Sequence, residues 1–162
     1  MTLSRSDRES LIDRYARGPA LLKAALAKVP KEAMQWRPGP DKWSAHEVIV
    51  HCADSETNAH GRIRYLVAEE QPPVIQGYDQ ARWAQVLEYH SLPCEPALAT
   101  VEAVRANTTA LLRRLTDAQW ARMGTHTEGG DYGALDWLKV YAEHLEKHAG
   151  QIERNIAAWQ KR

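Results

Sequence analysis

His144-Leu145-Glu146-Lys147-His148 places two imidazoles four residues apart inside a segment that reads as one amphipathic helix. Residues at that spacing share a helix face, so both rings can turn toward one ion. Two nitrogens rarely complete a metal site. The source of further ligands, and whether a coordination position stays open, therefore decides between a scaffold and an enzyme. The zincin pattern needs Glu directly after the first His; here Leu145 follows His144 and Glu146 comes one place too late. A zinc-protease reading fails at its general base. From spacing alone, metal binding competes with a solvated or hydrogen-bonded surface pair. The other histidines are His46, His51, His60, His90 and His126. His46 and His51, five apart, turn to different faces, but one of this group can still join the pair from across a bundle.

The elements that must position these rings follow from periodicity. Four long helical segments with irregular connections are expected, with no convincing strand alternation. The first spans about Ser6 to Val29, with Leu11, Ile12, Tyr15, Leu22, Ala25, Leu26 and Val29 at helical spacing. Gly18-Pro19 interrupts it, and a kink is expected there because proline lacks the amide donor. A loop follows, with Trp36-Arg37-Pro38-Gly39-Pro40 and then Asp41-Lys42-Trp43. Ser44-Ala45-His46-Glu47 has the capping-box form and opens a second helix reaching about Glu69. Residues 70 to 92 form a long crossover containing one short helix, Tyr78 to Tyr89. A third long helix runs from the Pro93 to Pro96 region to Leu115, and Thr116-Asp117-Ala118-Gln119 caps a further turn. The stretch from Trp120 through Gly130 is expected as loop.

The last helix carries the clearest seam: Leu135, Leu138, Ala142, Leu145, Ala149, Ile152, Ile156 and Trp159 alternate steps of three and four. Tyr141, His144, His148, Gln151 and Asn155 form a second stripe beside it, so the histidines flank the seam rather than fill it. The expected fold is all-α, a four-helix bundle with a long crossover between helices 2 and 3, in which successive helices are not all antiparallel neighbours. No internal repeat or linker divides residues 1–162, so one domain is expected.

Composition excludes several functions. The 162 residues carry 21 Lys plus Arg and 21 Asp plus Glu, and the pI near 7.1 offers no basic field. Nucleic acid and membrane surfaces are therefore not expected partners. Met1 to Asp7 shows no hydrophobic region of signal-peptide type, and the cytoplasm is the expected compartment. Cys52 and Cys94 read as reduced, partly buried thiols. Cys52 follows His51 directly, but helix neighbours diverge by about 100°, which makes it a poor further ligand. Trp83, Trp120, Trp137 and Trp159 read as packing residues. Trp36 and Trp43 are harder to assign to packing, because they precede the helix that carries His51.

Taken together, several of these pieces resemble the DinB-like (YfiT-like) helical bundles over nearly the whole chain. The resemblance rests on Trp36-Arg37-Pro38, on Asp41-Lys42-Trp43-Ser44 entering a helix, and on His51-Cys52-Ala53-Asp54-Ser55-Glu56. Tyr78-Asp79 with Trp83, His126-Thr127-Glu128-Gly129, and finally His144 and His148 complete it in order. What the resemblance implies is a site in which His51 joins His144 and His148 around one divalent metal ion, Zn2+ or Ni2+. Three imidazoles leave room for water or substrate, the arrangement of a catalytic site. Asp54, one turn beyond His51, is placed to orient that imidazole's other nitrogen or to contact water at the ion, with a surface or capping role as the competing reading. Tyr141, one turn before His144, is a candidate donor to an anionic substrate, with packing as the competing reading.

Three functions compete. The first, narrowly leading, is a thiol S-transferase or related detoxifying enzyme whose partners are a low-molecular-weight thiol such as bacillithiol and an electrophile. The second is a metal-dependent hydrolase, which needs a general base that only Asp54 or Glu56 suggests. The third is non-catalytic, a stress-associated bundle in which metal ties helices two and four together within a homodimer.

Overall fold

A computed structural model describes residues 3–162. Four long helices form the body: α1 (Arg5–Leu26), α2 (Ala45–Ala68), α4 (Cys94–Leu112) and α6 (Ala134–Trp159). Two short ones, α3 (Gln80–Val86) and α5 (Asp117–Trp120), lie in the connections. The expected bundle is present, and no described helix is long and apolar enough to cross a membrane.

Side-chain partners give the helix directions. Glu56 and His60 of α2 meet Arg105 and Thr108 of α4 in the same chain order, so these neighbours run parallel. Arg14 of α1 and Lys28, just past its end, meet Glu146 and Glu153 of α6 in the same way. By contrast, Ser55 and Ala59 of α2 meet His144 and Trp137 of α6 in opposite order, as do Asp13 and Lys23 of α1 with Arg113, which caps the end of α4, and Glu102 within it. Parallel α2 and α4 cannot be joined by a tight turn. The chain must travel back along the bundle between them, which is the physical reason for the long crossover.

That crossover is more regular than periodicity suggested. Its helix is shorter than Tyr78 to Tyr89, and Val74–Ile75 forms strand β1. The stretch after Trp120, expected as loop, folds into a hairpin of β2 (Met123–His126) and β3 (Gly130–Gly133). β1 joins β2 in parallel, Val74 opposite Thr125 and Ile75 opposite His126. Strands of two to four residues are too short to display alternation, so their pattern was invisible in the sequence. Gly124 permits the junction: a Cβ there would lie 2.5 Å from the Pro73 carbonyl oxygen. Gly130 turns the hairpin at φ 75°, a left-handed conformation that costs glycine little.

Caps set the helix starts. Ser44 and Glu47 form the expected capping box on α2, as do Thr116 and Gln119 on α5, and Ser4 with Asp7 adds one on α1. α1 runs unbroken through Pro19.

The core is divided. One apolar cluster holds Ile12, Tyr15, Ala59, Ile63, Leu66, Leu112, Trp137, Leu138 and Tyr141. The other holds Leu22, Val48, Ile49, Cys52, Val101, Leu145, Ala149 and Ile152. On α2, α4 and α6 the sequence passes from one cluster to the other across a buried polar layer containing Glu56 and Arg105.

Candidate metal centre

α2 and α6 bring His51, His144 and His148 together, with one ring nitrogen from each within 4.8 Å of the others. Because the two helices are antiparallel, His51 sits opposite His148, with ring centroids 4.8 Å apart, and 5.7 Å from His144. Cys52 turns away into the core, as helix geometry requires.

Two of the three rings have fixed orientations. His144 Nδ1 donates to Glu56 Oε1 at 2.8 Å, which leaves Nε2 as the lone-pair nitrogen, 3.3 Å from Ser55 Oγ. His148 Nδ1 donates to Gln151 Oε1 at 2.9 Å, leaving its Nε2 with the lone pair in turn. His51 differs: its Nδ1 is buried with no hydrogen-bond partner. An unpartnered nitrogen in a nearly inaccessible ring is costly unless something accepts its lone pair or proton. Trp43 packs on that ring with centroids 4.6 Å apart, and its carbonyl accepts from Asn155 Nδ2 of α6 at 2.9 Å. The loop tryptophan is thus pinned over the cluster.

Burial, together with the other two imidazoles, pushes the pKa of His51 down to about 2. Burial and the neighbouring His144 lower His148 to about 4. Neutral imidazole is the metal-binding form, so His51 and His148 offer unprotonated nitrogens at ordinary pH. The donor set, the fixed tautomers and the orphaned His51 Nδ1 all fit a divalent cation.

Behind His144 lies a fully buried ion pair. Arg105 Nε and Nη2 each donate to Glu56 at 2.7 Å, and the two side chains are 1% and 0% exposed. Burial alone would raise the Glu56 pKa, but the Arg105 charge and the His144 and Arg105 hydrogen bonds outweigh it and hold it below the usual carboxylate range. A carboxylate that orients an imidazole from behind increases its basicity toward a cation.

The other candidates fall differently. Asp54 makes no bond to His51; its carboxylate accepts from Tyr89 Oη and fastens the end of the crossover to α2. The orienting carboxylate is Glu56, two residues on, and it acts on His144. Its signal in the sequence was an acidic residue at a core position of α2, with an arginine at a core position of α4 to match. Tyr141 is 4% exposed, packs on Trp137 and lies 5.6 Å from His144 by ring centroids, and its hydroxyl accepts from Arg62 at 3.2 Å. Tyr141 therefore both packs and presents a polar tip. His46 and His60 bond elsewhere, to the Leu92 carbonyl and Thr108.

Comparisons with known proteins agree with this architecture. The sequence profile of the DinB superfamily matches residues 14–152. A proposed metal-dependent hydrolase of Oceanobacillus iheyensis is 33% identical over 134 residues, 83% of this chain and 77% of that protein. YfiT of Bacillus subtilis, another proposed metal-dependent hydrolase, is 27% identical over 152 residues, 93% of this chain and 85% of its own. The solved YfiT structure, a four-helix bundle of unusual topology, superposes with a TM-score of 0.86 at 26% identity over 95% of this chain and 88% of that one. A mycothiol-dependent maleylpyruvate isomerase shares the fold, with a TM-score of 0.71 at 15% identity over 90% of this chain and 60% of that one. Profile, relatives and helix topology converge, and the chain belongs to the DinB superfamily.

Proposed function

We propose that His51, His144 and His148 hold one divalent cation, Zn2+ or Ni2+, and that the protein is a metal-dependent enzyme joining a low-molecular-weight thiol such as bacillithiol to an electrophilic small molecule. The observation that carries the metal is the convergence of one ring nitrogen from each of three histidines within 4.8 Å, two with their tautomers already fixed and the third, His51, buried with an unpartnered Nδ1. Bound with an open position, such a cation lowers the pKa of a coordinated thiol or water and so supplies a nucleophile near neutral pH.

The choice of thiol rests on which carboxylates are free. Glu56 is committed to Arg105 and His144, and Asp54 to Tyr89. Neither is arranged as a general base to direct a water at the ion, whereas a thiol, with an unbound pKa near about 8.5, becomes a thiolate at a cation without one. The relatives named as proposed metal-dependent hydrolases favour hydrolysis as the second reading.

The test combines metal analysis with turnover. One ion per chain is expected in the wild type and a marked loss in His51→Ala, His144→Ala and His148→Ala. Metal-loaded protein should conjugate bacillithiol, mycothiol or glutathione to 1-chloro-2,4-dinitrobenzene. Failure with every thiol removes the transferase reading, and ester hydrolysis abolished by Asp54→Ala would replace it with the hydrolase. No turnover in either assay, with a large fall in melting temperature on chelation, would leave the ion as a structural fastener.

A further inference from the structure

We propose that Arg62, with the hydroxyls of Tyr141 and Tyr78, forms an anion subsite beside the histidine cluster that takes the carboxylate of a small-molecule substrate. It rests on the metal-enzyme reading and adds the chemical class of the substrate.

Arg62 lies on α2 and is partly buried. It donates to Tyr141 Oη at 3.2 Å and to the Gln76 carbonyl, and among the described residues it faces no carboxylate within ion-pair distance. A guanidinium carries five N–H donors, so these two contacts leave donors free. Other arginines of the bundle are spent differently: Arg105 is enclosed by Glu56, and Arg14 pairs with Glu146. An arginine anchored at one edge and left without a counter-charge is arranged to receive one.

The surroundings point the same way. The Arg62 guanidinium lies 5.8 Å from the Tyr78 ring, and the Tyr78 hydroxyl is buried with no hydrogen-bond partner. Burial pushes the Tyr78 pKa up to about 12, so its hydroxyl stays a donor. A cavity of about 350 Å³ opens beside Arg62 and Tyr141, lined also by His126, Tyr132 and Val140, while Tyr78 adjoins Arg62 from outside that lining. Tyr141 bridges the two regions, since its ring lies beside His144 and its hydroxyl meets Arg62. An anion on Arg62 would therefore lie one tyrosine side chain away from the cluster.

The charge balance selects a monoanion. One guanidinium and two neutral phenols match a single carboxylate, whereas a phosphate dianion would keep an uncompensated charge. Glu128 and Asp131 line the same cavity and are exposed, so they add negative charge that disfavours a dianionic ligand more than a monoanionic one.

The experiment is calorimetric titration of the metal-loaded protein with hexanoate, hexanamide, adipate and inorganic phosphate, with the Arg62 side-chain Nε resonance followed by NMR. Hexanoate should bind and shift that resonance, hexanamide should not, and adipate and phosphate should bind more weakly. Arg62→Gln should weaken hexanoate roughly tenfold to hundredfold, with Arg62→Lys retaining part of the affinity. Tyr141→Phe and Tyr78→Phe, which keep the rings, should each weaken it a few-fold, and they decide the matter if Arg62→Gln does not fold. Hexanoate binding that is indifferent to these substitutions and abolished by chelation would make the carboxylate a ligand of the ion alone and overturn the subsite. Phosphate binding equal to or tighter than hexanoate would overturn the substrate class. Arg62-dependent hexanoate binding by protein whose histidine variants leave metal content unchanged would uphold the subsite and sink the metal reading.

Discussion

The backbone carbonyl of Tyr15 accepts a 2.6 Å hydrogen bond from Arg105 Nη1. Pro19, four residues on, has no amide to offer that carbonyl, so α1 would otherwise carry an orphaned acceptor in the core. Arg105 supplies the missing donor, stacks 3.7 Å over the Tyr15 ring, and gives its remaining contacts to Glu56 and the Tyr141 carbonyl. Glu56 in turn holds His144. The tolerance of a helix-interior proline and the orientation of a candidate metal ligand thus depend on one guanidinium.

Replacing Arg105 with Met removes the guanidinium that balances Glu56 inside the bundle. Breaking a buried pair from one side costs about 3 to 5 kcal/mol. In a chain of this size that corresponds to a melting temperature lower by roughly 6 to 20 °C. Thermal unfolding by circular dichroism checks it, and a shift of a degree or two would mean the pair contributes little.

Glu56→Gln separates orientation from stability. Losing the carboxylate behind His144 should weaken metal binding roughly tenfold to hundredfold, measured by chelator competition well below the melt. Asp54→Ala should leave that affinity nearly unchanged, since Asp54 contacts Tyr89. Combining Glu56→Gln with Arg105→Met should cost less stability than the two single changes added together, because no charge is then left buried alone. The double variant should not recover metal affinity, because nothing in it restores the carboxylate to His144.

These dependences show where sequence reading reached and where it stopped. The seam of α6 and the capping box at Ser44 fix two helices by local chemistry, and the spacing of His144 and His148 is a property of one helix. All three are readable from the chain. That His51 lies opposite His148 depends on the direction and offset of α2 against α6, which no local pattern encodes. Resemblance to a known family, not periodicity, brought His51 forward. Asp54 and Glu56 looked equally available because both are acidic and both are within two turns of His51. They are distinguished by distant partners, Arg105, which is 49 residues from Glu56 in sequence, and Tyr89, which is 35 from Asp54. The β1 to β2 pairing is likewise non-local, joining residues 74–75 to 125–126.

His51, which is buried, and His148, which is partly buried, make the metal-free protein acid-sensitive. His51 and His148 have folded pKa values near 2 and 4, below the unfolded value of about 6.5. The unfolded chain therefore binds more protons between those limits, and stability rises with pH there. The contribution is full above about pH 6.5 and falls away as pH drops toward 4 and below, with a slope approaching 1.4 kcal/mol per pH unit for each histidine. Urea titrations at pH 7.0, 6.0 and 5.0 should show that decline, and His148→Ala should flatten it. A pH-independent midpoint across this range would mean the rings are already solvated in the folded state.

The last prediction concerns the start of α2. Ser44 is fully buried; its Oγ accepts from the Glu47 amide at 3.2 Å, and the Glu47 carboxylate accepts from the Ser44 amide at 2.9 Å. Glu47 also receives Arg37 from the preceding loop, so the cap joins the helix to the segment that delivers Trp43 onto His51. Ser44→Ala leaves the Glu47 amide without its acceptor in a dry environment and should cost about 1 to 2 kcal/mol. His51 is two turns further along, where intrahelical hydrogen bonds are complete, so metal affinity should fall far less than in Glu56→Gln. Thermal melts and chelator competition on the same preparations check both halves. If Ser44→Ala lowers affinity as much as Glu56→Gln does, the placement of Trp43 over His51 governs the site more than the carboxylate behind His144.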